Sequence, residues 1–455
     1  MRHLGFLAFP LLLPCFSCNS AASGTIQIIT GEETDTFTQT PVPTQILVQA
    51  EDATGHRTTL ATAPYPTDTI DLGNQDQTAV AALVVTAEDA NGNALVYGAS
   101  VPLQYGALDG ETLPIFVQRM GQNARLPNPA SDSRQAPVLG LLSDRFLIIA
   151  GGSDSTVSST TEVYDFAQFN LLPSPPSLPI VPASMPIVGT VALLLDTAGD
   201  GTYYDFSQNS GTDVTPPAGF AFSDVAGGQT IYDANDGFVF VVGATRTTGA
   251  PTAAVLKIDT TDTSNASYVS GALSWLTLSA PRLGASVAWV GTRGLVVAGG
   301  SATAPGVEIL ANGQTMGTTL PYPPDASSGS GMTTLDNAEF VLLAGGVTPS
   351  GTDAGVRDVD LGCGQSCQPV LWGSGLPVAI TSASAFTFDP AHAFVVGNEP
   401  TSGLTHTFTL NSAGATEVPT KVSHTNAGAI ASPMLSSVLV FGGAGEIESF
   451  TPAPP

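Results

Sequence analysis

The chain has 455 residues, enough for a substantial core and two domains. It carries 38 acidic against 12 basic residues, a formal net charge of −26, and only two lysines, Lys257 and Lys421. Such a surface repels nucleic acid and anionic lipid head groups, which excludes both as partners bound through a basic patch. With 49 glycines, 35 prolines and no amphipathic helical stretch, the composition points to an all-β, turn-rich protein.

The chain opens with a short basic start, Met1-Arg2-His3, and thirteen apolar residues from Leu4 to Phe16. That length suits a signal-peptide core rather than a membrane helix. Two exits compete within residues 1–22. Ser17-Cys18 resembles a degenerate lipobox, with cleavage before Cys18 and lipid on its thiol. Ser20-Ala21-Ala22 fits ordinary cleavage after small residues. The first exit places the protein on a bacterial outer membrane or cell surface, held only by an N-terminal lipid; the second makes it periplasmic or secreted.

Residues 24–107 form a first unit. Strand-like runs at 45–50 and 80–87 lead into matching turns, Glu51-Asp52-Ala53-Thr54-Gly55 and Glu88-Asp89-Ala90-Asn91-Gly92. Asp and Asn bond to nearby backbone and Gly takes positive φ, so both read as hairpin turns in preference to a calcium site. The unit looks like a small immunoglobulin-like β-sandwich, and part of residues 24–44 reads as a tether.

Residues 112–455 repeat one pattern. Phe146-Leu147-Ile148-Ile149-Ala150-Gly151-Gly152 returns as Gly294 to Gly300, Phe340 to Gly346 and Val438 to Gly443. Weaker copies end at Gly199, Gly243 and Gly397. The apolar run suits a strand buried on both faces, and the glycines let the backbone turn or approach closely. The intervals between full copies are 148, 46 and 97 residues, or three, one and two units of about 50. A half-buried strand follows each run, as in Glu162-Val163-Tyr164 and Val307-Glu308-Ile309. A Pro-rich step then leads onward, most clearly at Pro281-Arg282.

Hydrophobic run, diglycine, Glu-Val-Tyr and Pro-Arg together resemble degenerate kelch repeats. The resemblance implies a β-propeller of seven blades, or six if the Val191 copy is not a blade. The last unit lacks room for a fourth strand, so 113–118 is expected to be donated to it from upstream, closing the ring. In binding-type kelch propellers the face where chains enter the innermost strands often contacts partners. By repeat alignment Arg134, Arg282 and His424 are the candidates there, against a structural reading in which they cap strands or pair between blades. Cys363 and Cys367 flank a hairpin tip and read as a disulfide, since no further soft ligands for zinc lie nearby in sequence.

No phosphate loop, nucleophile elbow or His-Glu-x-x-His motif occurs, and no copper-oxidase or sialidase arrangement of residues is evident. No cofactor or metal is expected. The expected function is that of a non-catalytic surface binding or scaffold protein with a protein or glycan partner. The alternatives are a secreted glycan-directed hydrolase or oxidase, and a purely structural surface protein.

Overall fold

A computed structural model describes residues 21–153, 160–233, 236–260, 273–335, 340–432 and 436–453. Residues 1–20, where the leader is expected and which hold Cys15 and Cys18, lie outside the described residues. Among those described, the regular structure is β, with three single-turn helical segments at Tyr105–Leu108, Phe222–Asp224 and Gly243–Thr245.

The N-terminal unit packs two sheets face to face. One orders Thr69–Asp76, Ala21–Ile29 and Thr112–Phe116. The other orders Arg57–Pro64, Gln45–Glu51, Val80–Glu88, Ala94–Ala99 and Gln118–Arg119. Alternate residues point inward, so Ile26, Ile70, Leu72 and Ile115 meet Ile46, Val48, Leu83 and Val96 in one core. Asp52 Oδ1 accepts the N–H groups of Thr54 (2.8 Å) and His56 (3.1 Å). Asp89 Oδ1 likewise accepts Asn91 (2.8 Å) and Asn93 (3.0 Å). Each side chain therefore closes its own turn. The side-chain and backbone bonds from Asn93 hold the Asp89 carboxyl below its ordinary range.

Among the described residues, seven four-stranded antiparallel sheets follow. In each, an apolar run is the second strand: Phe146–Ala150, Val191–Leu195, Phe238–Val242, Gly294–Ala298, Phe340–Ala344, His392–Asn398 and Ser437–Phe441. Flanked on both sides and covered on both faces by neighbouring sheets, these strands have no polar side to show. The innermost strands of neighbouring sheets face one another around a channel. The ring comes back on itself where Gly428 of the seventh sheet would place a Cβ 3.5 Å from Leu139 Cδ1 of the first.

The diglycines have one physical cause. A Cβ on Gly299 would sit 2.7 Å from Ser327 O, and one on Gly345 2.8 Å from Ile380 O, so the backbone leading into the next sheet passes too close for a side chain. The second glycine of each pair donates its N–H to that same oxygen, Gly300 at 2.8 Å and Gly346 at 2.7 Å. In these two sheets the motif joins the fourth to the fifth and the fifth to the sixth.

The expected closing strand is corrected. Thr112–Phe116 runs parallel to Ala21–Ile29 inside the N-terminal unit, with Ile26 opposite Leu113 and Ile28 opposite Ile115. Ile115 and Val117 are fully buried in that core, which is why this apolar stretch stays there. The strand completing the seventh sheet is Asn123–Arg125, antiparallel to Ile447–Phe450. The N-terminal unit accordingly extends to Arg119, past residue 107, and the first strand of the ring begins at 123 rather than 112. Within 24–44, part of which reads as a tether in sequence, residues up to Ile29 belong to the central strand Ala21–Ile29. The two units share a buried seam: Phe116 lies 5.9 Å from Phe169, Arg125 pairs with Glu33 at 2.9 Å, and Gly121 N–H reaches Thr451 O at 2.8 Å.

Candidate functional site

Arg134, Arg282 and His424 each sit four residues before an innermost strand, and all three are fully buried. Arg282 donates to Gly299 O (2.7 Å), Pro305 O (2.7 Å) and Glu308 Oε2 (3.2 Å). Arg134 donates to Gly151 O (3.2 Å) and Thr160 O (2.8 Å), and pairs with Asp132 through Nε at 2.9 Å. His424 reaches Gly442 O through Nδ1 (3.0 Å) and Glu448 Oε1 through Nε2 (3.2 Å). In every case the base engages the carbonyl of the first glycine of its own sheet's pair.

A second partner recurs. Glu162, Glu308 and Glu448 occupy matching places on third strands, paired with Ile149, Val297 and Val440. Each accepts the backbone N–H of the residue three before the base: Ser131 for Glu162 (2.9 Å), Ser279 for Glu308, Lys421 for Glu448 (2.9 Å). Base, glycine carbonyl and glutamate thus form a buried clamp that fixes the lead-in of the sheet. Burial pushes the Glu162 carboxyl above its usual range, more than its bond from Ser131 lowers it. Both ring nitrogens of His424 face acceptors, so the His424–Glu448 pair needs a shared proton to make both contacts.

The three side chains are therefore not brought together, and none lines the channel. Their assignment to ligand contact is corrected: each is consumed by its own sheet, in keeping with the strand-capping alternative. The sequence quoted the Glu-containing strands but not their pairing with the bases. The signal was the constant 17-residue step from Arg134 to Gly151 and from Arg282 to Gly299.

The solvent-reachable feature is the channel itself, of about 820 Å³. Its wall is mainly apolar, with Leu139, Leu141, Met185, Ile187, Ile231 and Met332, relieved by Ser and Thr hydroxyls from Thr230, Thr333, Thr334 and Ser384. Two titratable side chains line it, Asp144 and Tyr232. The Tyr232 hydroxyl accepts Ile187 N–H at 3.1 Å, and desolvation raises its pKa. The other described bases stand elsewhere. Arg145 pairs with Asp165 (2.6 Å), His392 with Asp389 (2.8 Å) and His406 with Glu417 (2.8 Å). Cys363 and Cys367 form a disulfide in the fifth sheet, between Val356–Asp360 and Val370–Leu371, with Cys367 buried beneath the corner.

No family model matches the sequence, and no curated protein matches it. Among solved structures, the fold is similar to the β-propeller domain of Swd1 (Cps50) from Myceliophteria thermophila, at 9% identity and TM-score 0.43, covering 71% of this chain and 98% of that one. It is also similar to a chain of a mitotic checkpoint complex, at 12% identity and TM-score 0.46, covering 73% and 92%. A third is the computationally designed Ika8 protein, at 10% identity and TM-score 0.42, covering 72% and 100%. The likeness is one of fold alone.

Proposed function

We propose that this is a non-catalytic binding protein of the bacterial envelope. In this reading the seven sheets are the blades of a kelch-like propeller, preceded by an immunoglobulin-like sandwich and tethered by lipid on Cys18. The partner is a protein presenting an apolar element, such as a loop tip, to the channel; a glycan is the second candidate. The observation that carries the reading is the channel lining: aliphatic and aromatic side chains and hydroxyls, with, among the described residues, a single carboxylate and no base. A concave, mostly apolar site with a few polar groups suits recognition. A hydrolase or oxidase would need several ionisable groups converging there.

The test is capture of envelope proteins by the full chain, with Ala385→Arg and Ala431→Arg as channel-blocking variants. Ala385 is partly and Ala431 well exposed at the channel wall, so both variants should fold. Expected is a partner retained by wild type and lost by both variants. Retention by both would contradict the channel as the site. Palmitate labelling of wild type against Cys18→Ala tests the anchor, and equal labelling would contradict it.

A further inference from the structure

A second concavity lies between the third and fourth sheets and meets the channel at Trp289, which lines both. Its floor is Phe238, Phe240, Leu276 and Trp289, with Phe240 stacked on the indole at 5.4 Å and 18°. Lys257 stands over the Phe238 ring, its Nζ 3.2 Å from the centroid. The rim is polar: Asp236, Ser274, Asn312, Gln314 and Thr315, with Asn312 Nδ2 reaching Asp236 across the two sheets at 3.5 Å.

Two donors here have no oxygen acceptor among the described residues. Trp289 Nε1 is buried without an acceptor among the described residues. A buried indole N–H normally has one, and leaving it unpaired is costly. Lys257 is one of two lysines in a chain of net charge −26, yet among the described residues its ammonium has an aromatic face and no carboxylate partner. An acid, a base, amides and hydroxyls therefore surround an aromatic floor in about 160 Å³. At ~30 Å³ of liquid volume per water, that is room for one small ring rather than a chain.

We infer that this crevice binds a single neutral pyranose. A sugar ring has an apolar face for the aromatic floor and a hydroxyl edge that serves donors and acceptors alike. A simple anion would meet Asp236 and the chain's negative field. An aliphatic ligand would leave Lys257 and the rim unpaired. The crevice shares only Trp289 with the channel lining, and Ala431→Arg, on the seventh sheet, should leave it intact.

The experiment is titration of the full chain with methyl glycosides of glucose, galactose, mannose and N-acetylglucosamine, followed by tryptophan fluorescence and calorimetry. Acetate and phosphate serve as anion controls. Expected is saturable one-to-one binding of at least one glycoside, weakened about tenfold by Lys257→Met and by Trp289→Phe, which keeps the ring and removes the N–H. Asn312→Ala on the exposed rim should weaken it similarly without changing the unfolding curve. Failure of every glycoside to saturate, saturation by the anions instead, or undiminished binding by all three variants would overturn the inference.

Discussion

The first, fourth and seventh sheets differ from the fifth in how they hold their lead-ins. In the fourth, Arg282 on the connection and Glu308 on the third strand are both fully buried; Arg282 contacts Glu308 and two backbone carbonyls. In the fifth the polarity is reversed. Arg357 takes the third-strand place, opposite Leu343, and faces Asp325 on the connection and Asp353, each at 3.8 Å. The glycine carbonyl Gly345 O is served by Ser330 Oγ at 2.7 Å. The fourth, fifth and seventh sheets therefore keep a pairing of basic and acidic side chains between connection and third strand, with its sign exchanged in the fifth, whereas Arg134 of the first sheet pairs with Asp132 on its own connection. Where the pair is dry it also holds the glycine; where it is partly wet, a neutral hydroxyl does so.

Breaking a dry clamp should have the largest effect. Arg282→Leu leaves Glu308 buried and uncompensated and should cost about 3–5 kcal/mol in urea unfolding. His424→Leu should cost a similar amount in the seventh sheet, whereas His424→Arg restores the base of the other two and should stay within about 1 kcal/mol of wild type. Equal damage from both His424 variants would show that the clamp is not shared. Next is Asn123 in the closing strand, whose Nδ2 donates to Thr407 Oγ1 (2.9 Å), Val418 O and Pro419 O (both 3.2 Å). Asn123→Leu should cost roughly 1–3 kcal/mol by stranding those acceptors. Arg357→Leu should be mildest, about 1 kcal/mol or less, because its pairs are long and partly solvated.

Acidity sharpens the same contrast. Burial raises the folded pKa of Glu162 in the first-sheet clamp and of Glu446 beside the seventh-sheet clamp. A group whose folded pKa exceeds its unfolded value contributes stability that is fully present below the unfolded value, ~4.3 for Glu, and lost as pH rises through the folded one. Glu162→Gln should therefore flatten the fall in stability above that pH. A slope unchanged by the substitution would contradict this reading of Glu162.

What was legible followed from how strongly burial shapes a strand's composition. The second strands announced themselves because covering on both faces leaves only Val, Leu, Ile and Phe, and their glycines because a backbone passes within contact of each. The closing strand did not, since Asn123-Ala124-Arg125 is short and polar: Asn123 bonds across to the sixth sheet and Arg125 to Glu33. The louder run at 113–117 was claimed by the N-terminal core. Arg134, Arg282 and His424 were found by position, but position alone could not distinguish a ligand contact from a clamp. That depended on Glu162, Glu308 and Glu448, 24 to 28 residues away in sequence. The channel lining was invisible because it draws a few side chains from each of seven strands far apart in sequence.

The ring, its channel and the clamp all depend on closure by the strand at 123–125. Ala124 and Ser449 are directly opposite one another in that pairing. Oxidation of an Ala124→Cys, Ser449→Cys double variant, read by mass spectrometry of the digested chain, tests it most directly. The expected result is a 124–449 crosslink in the folded protein and none after unfolding. No crosslink at 124–449, with one forming instead between Ile115→Cys and Ser449→Cys, would contradict the account.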